Sequence, residues 1–67
     1  MELQPHEQRV VAEQKELQEK LIKLDAFMDG HTFTGLAAED RKLLIIQREY
    51  MANYNEVLRA RIERFAA

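Results

Sequence analysis

Sixty-seven residues with 10 Lys+Arg against 12 Asp+Glu, two Gly, one Pro and no Cys describe one small domain, 1–67, too short for a comfortable single core. The missing cysteine excludes a disulfide scaffold, a thiolate nucleophile and a cysteine zinc site, and is compatible with a reducing cytoplasm. A net charge of -2 with both signs interspersed excludes a general nucleic-acid coat protein, which needs a strongly basic balance.

Residues 3 to 29 lack Gly and are rich in Glu, Gln, Lys and Leu, which favour helix; Pro5 suits the first turn, where its missing N–H is no loss. Apolar residues at Leu3, Val10, Leu17, Leu21, Leu24 and Met28, with Gln14 completing the spacing, predict an amphipathic helix over about 5–29 with a nearly heptad seam. Val11 and Ile22 form a secondary strip beside it. The pairs Glu16/Lys20 and Glu19/Lys23, four residues apart, support the exposed face and imply no site.

The stretch GHTFTGL, 30–36, breaks this pattern with glycine at both ends. Gly30 is expected in the left-handed position just past a helix C-terminus. Phe33 and Leu36 are expected to plug the closed end of a hairpin, with a binding role for Phe33 as the alternative.

A second helix is expected over about 37–65, opening on Glu39 and Asp40 and ending with Arg59, Arg61 and Arg64, the order the helix dipole favours. Its apolar residues run from Leu43 and Leu44 to Ile62 and Phe65 and cover an arc of about 160° on a helical wheel. A two-helix hairpin offers that arc only the narrow stripe of helix one. The side made by Leu43, Ile46, Tyr50 and Val57 is therefore expected to remain open on a monomer and to be the oligomer interface. The predicted fold class is an all-α antiparallel two-helix hairpin that self-associates into a helical bundle, most simply with closed symmetry.

No apolar run approaches the roughly 20 residues that cross a bilayer; the longest is Leu43-Leu44-Ile45-Ile46. The beginning, MELQPHEQ, is polar and acidic, unlike a secretory signal, so no membrane association is expected. Enzyme templates also fail. There is no glycine-rich phosphate loop, no nucleophile elbow and no histidine pair at ligand spacing, so no catalytic residue, metal or cofactor is expected. His6 and His31 are expected at opposite ends of the hairpin.

What stands out is the polar and aromatic residues within the wide arc. Gln47 and Arg61 lie near its centre, with Tyr50 and Tyr54 between them in sequence. Arg61 could pair with Glu2, Glu7 or a symmetry mate while its stem packs. Alternatively Arg61, with Arg64 and Arg48, could line an oligomer cleft for phosphate while a tyrosine stacks on a base. Gln14 and Gln47 are read as polar register-setters in facing seams, or as ligand contacts.

The segments RVVAEQKELQEKLIKLDAF (Arg9 to Phe27) and FTGLAAEDRKLL (Phe33 to Leu44), followed by Gln47, Met51, Tyr54, Leu58, Arg61 and Ile62, resemble a family of short phage-encoded helical hairpins related to a hypothetical protein of a crAss-like phage. Ala37 departs from the helix-capping Ser, Asp or Pro usual there, so helix two could start from Thr34. The resemblance implies a phage accessory protein in the cytoplasm of a bacterial host cell. In size and architecture alone the chain is similar to sponge-type antagonists of bacterial immunity, which implies a cyclic-nucleotide ligand held by a homo-oligomer. The alternative is a helical module that blocks or bridges a host or phage protein through the exposed face of helix two; an inert assembly protein is a third.

Overall fold

The computed structural model describes residues 2–65. Helix α1 spans Pro5–Met28, α2 is the short His31–Thr34, and α3 spans Ala38–Phe65; the two long helices pack together. With 24 and 28 residues, they are about 36 and 42 Å long. They make a rod of 49 × 15 × 15 Å.

Pro5 occupies the first turn of α1, and Glu7 reaches back so that the Gln4 N–H donates to its Oε1 at 2.8 Å, satisfying one orphan donor of the helix start. The inward residues of α1 are Val10, Gln14, Leu17, Leu21, Leu24 and Met28, the seam expected from the 3-4 spacing. The inward residues of α3 are Leu44, Arg48, Met51, Asn55, Leu58, Ile62 and Phe65, again spaced three and four apart. Leu58 is fully buried, and Val10 and Leu21 are each 6% exposed. These three side chains are the apolar centre among the described residues.

The closed end differs from the expected loop in two respects. Residues 31–34 form a helical turn, and neither glycine has a positive φ. Helix α1 ends through Asp29 in a right-handed conformation, its N–H reaching the Asp25 carbonyl at 3.2 Å, while Gly30 is extended and begins α2. The left-handed position is unnecessary because α2 restarts helical bonding one residue later. Arg41 holds the turn from the far side, donating from one guanidinium nitrogen to the Thr34 and Leu36 carbonyls at 3.2 and 2.6 Å. Helix α3 therefore starts at Ala38, not at Thr34, with the Arg41 N–H bonded to the Ala37 carbonyl. Phe33 and Leu36 are half-buried, and Phe33 meets Phe27 edge to face with ring centroids 6.4 Å apart. Phe33 therefore packs against α1 at the closed end, as expected.

Candidate functional site

The inner seam contains a polar layer. Asn55, 4% exposed, accepts a hydrogen bond from Gln14 Nε2 at 3.1 Å through its Oδ1 and donates from Nδ2 to Gln18 Oε1 at 2.8 Å. Both functions of the amide are satisfied across the helix pair, so its burial leaves no orphaned group. Gln14 thus has the expected seam role, but its partner is Asn55 and not Gln47. Gln47 is exposed on another face of α3, with only Met51 Sδ at 3.7 Å.

One turn or two toward the closed end, Arg48 Nε and a terminal nitrogen donate to the two carboxylate oxygens of Asp25 at 2.7 and 3.3 Å. This fork lowers the Asp25 carboxyl below its ordinary value, chiefly through the hydrogen bond, against partial desolvation. Arg48, a candidate phosphate contact by sequence, thus forms a cross-helix ion pair with Asp25. The pair lines a groove of about 270 Å³ between the long helices, together with Gln18, Ile22, Asn55 and Arg59.

The remaining sequence candidates lie elsewhere on α3. Residues 43, 47, 50, 54, 57, 61 and 64 recur at alternating steps of four and three, each one residue before an inner one, which aligns them along one face about 100° from the inner seam. This outer face carries Leu43, Tyr50 and Val57 at 61%, 71% and 55% exposure, and Ile46 at its edge at 37%. Arg61 and Arg64 are exposed there. Among the described residues the ion pair present is Arg48 with Asp25, so Arg61 does not take the expected partners Glu2 or Glu7. Tyr54 is the one member tied back to α1: its hydroxyl donates to Glu13 Oε2 at 2.6 Å. That bond to an anion, helped by partial burial, raises the phenol above its ordinary pKa and fixes the ring along the edge of the outer face.

Chemically, the outer face offers guanidinium donors, an amide and two phenol rings beside apolar side chains. It can bind and it can stack. No group of three or more His, Asp or Glu capable of holding a metal occurs among the described residues, and no described helix is long and apolar enough to cross a membrane. His6 and His31 are both exposed, at the starts of α1 and α2 and so at opposite ends of the rod. The buried Asn55 was missed in the sequence. The signal was present in the seven-residue recurrence of Arg41, Arg48, Asn55 and Ile62, which marks one helical position facing α1.

A family model described as Sequestin matches residues 4–64, nearly the whole chain, and the chain belongs to that family. The name speaks of sequestering, that is of binding rather than catalysis. No curated protein and no solved structure matches the chain.

Proposed function

From membership of the Sequestin family we propose that the chain is a phage-type anti-defence protein that sequesters a nucleotide immune signal in a cleft between copies of itself, inside the bacterial host cell. Arg61 and Arg64 would hold phosphate oxygens by charge-assisted hydrogen bonds, Tyr50 or Tyr54 would stack on a base, and Gln47 would contact its edge. The observation that supports this reading is the alignment of these side chains on one exposed face, with Arg61 and Arg64 in no ion pair among the described residues. Arg48 is committed to Asp25 and is left out of the proposed set. Shortness supports it too. In a rod 15 Å thick the groove beside Asp25 and Arg48 lies open between the helices, so a second copy would be needed to surround a ligand. Calorimetry against a panel of cyclic di- and trinucleotides tests the reading: heat that disappears in the Arg61→Ala, Arg64→Ala double variant is expected, and no heat with any nucleotide removes it.

A second reading, from the uncovered apolar side chains Leu43, Tyr50 and Val57, is a module that blocks or bridges a host or phage protein. It requires one protein captured from bacterial lysate in stoichiometric amount, with capture lost on Tyr50→Asp.

A further inference from the structure

The proposed cleft requires a second copy, and the charge pattern of α3 specifies how that copy sits. Every feature of the outer face runs in one direction along the helix. Its N-terminal end carries the exposed acids Glu39 and Asp40, its middle carries Leu43, Ile46, Tyr50 and Val57, and its C-terminal end carries the exposed bases Arg61 and Arg64. The outward side of α1 offers no matching stripe: Glu13, Lys15, Glu16, Glu19, Lys20 and Lys23 are exposed there, and Ile22 stands singly among them.

We propose that the outer face of α3 is covered by the same face of a second copy, packed antiparallel about a two-fold axis beside Met51 and Ala52. In this register the seven-residue periodicity of one helix meshes with that of the other, as in an antiparallel coiled coil. Glu39 lies opposite Arg64 of the second copy, Asp40 opposite its Arg61, Leu43 opposite its Ala60, Ile46 opposite its Val57 and Tyr50 opposite its Asn53. Lys42 comes beside its Glu63. One flanking contact is unfavourable, Glu49 against its Glu56, and three kinds of opposite-charge contact outweigh it. A parallel pair would set Glu39 on Glu39 and Arg64 on Arg64 and align the helix dipoles, so the charges select the antiparallel arrangement. The two-fold repeats each contact, which doubles every favourable pair.

The arrangement also locates the nucleotide cleft. Gln47, Tyr54 and Arg61 are spaced by seven and run along one edge of the new seam, where Gln47 of one copy approaches Tyr54 of the other. Each Arg61 is held by a single carboxylate, Asp40, which a phosphate can replace at the rim. The proposal rests on the oligomeric part of the function proposed above and on none of its ligand chemistry.

The sequence has no cysteine, so introduced thiols report geometry without interference. Ile46→Cys and Val57→Cys chains are prepared separately, their mass is measured by sedimentation, and they are oxidised alone and as a mixture. The expected result is a dimer whose mixture cross-links at least tenfold more than either variant alone, because residue 46 faces 57 and is about 16 Å along the axis from its own copy. Self-cross-linking of either single variant, a dimer with no cross-link in the mixture, or a folded monomer at micromolar concentration would each overturn the proposal. A second measurement reads charge: Glu39→Arg with Asp40→Arg, and Arg61→Glu with Arg64→Glu, should each lower self-association at least tenfold, and mixing the two should restore a heterodimer. Unmixed dimers of undiminished affinity refute the pairing. None of these assays contains a nucleotide, so a cross-linked dimer that gives no calorimetric heat removes the ligand reading alone. Nucleotide binding by a monomer removes this arrangement together with the cleft between copies, and leaves the nucleotide as ligand.

Discussion

Helix α3 has two long faces built on the same alternation of three- and four-residue steps, and they have opposite fates. The inner face is covered by α1 and contains the fully buried Leu58 and the nearly buried Asn55. The outer face, with Leu43, Tyr50 and Val57 more than half exposed, is left open along most of its length among the described residues, with Tyr54 at its edge reaching Glu13 of α1. Periodicity therefore creates a surface that can be buried, and complementarity decides which one is. On the inner side Gln14 and Gln18 meet Asn55 and Asp25 meets Arg48, so a face with two polar residues is matched group for group. The outer face sets Leu43, Tyr50, Tyr54 and Val57 against Gln47, Arg61 and Arg64, and neither arginine is in an ion pair among the described residues.

The largest expected effect that breaks this contrast comes from neighbouring residues. Leu58→Ala should cost about 2–5 kcal/mol, comparable with the roughly 3–5 kcal/mol that a core of this size supplies, and circular dichroism should show loss of helix at 37 °C. Val57→Ala, one residue away on the outer face, should leave the fold of a single hairpin within about 0.5 kcal/mol. Equal losses for the two would refute the division into faces.

Next in size is the polar layer. Asn55→Ala leaves Gln14 and Gln18 without their partner and should cost about 1–3 kcal/mol, read from the urea midpoint. Replacing Gln14, Gln18 and Asn55 together by Leu should instead keep or raise the melting temperature, while broadened or doubled amide resonances show that the helices no longer choose one register. A triple variant with a single sharp set of resonances would show that the layer sets no register.

Smaller still is the effect of Arg61→Ala with Arg64→Ala at concentrations low enough to keep the hairpin alone, where the melting temperature should move by no more than about 4 °C.

The smallest effects are on pH. Asp25 has a lowered carboxyl in the folded chain, so its contribution is present above the ordinary carboxylate pKa of about 3.9 and fades as pH falls through the folded value. Asp25→Asn should flatten that acid limb. Tyr54 has a raised phenol, so its contribution is present up to about pH 10 and fades as pH rises through the folded value. Its phenolate absorbance should accordingly appear above the ordinary tyrosine range, and Glu13→Gln should bring it back toward that range.

Much of this architecture is legible in the sequence, for identifiable reasons. Two glycine-free stretches with regular apolar spacing leave few alternatives to a hairpin, and the α1 stripe from Val10 to Met28 is the one that packs. Helix α3 was harder because its apolar arc is about twice as wide as its partner's. Within such an arc, hydropathy alone centres on Gln47 and Arg61, whereas the side actually chosen contains Arg48 and Asn55. That choice depends on hydrogen bonds to residues 14, 18 and 25, which no single-helix pattern records. The glycines misled for a related reason: a short helix following directly on α1 accommodates the reversal without any left-handed residue.

The thinness of the rod has an evolutionary consequence. Among the described residues, three apolar side chains and one asparagine are buried, so most substitutions fall where they alter the surface and leave the fold unharmed. A protein of this kind can exchange one bound molecule for another by changing a few outward residues of a single helix.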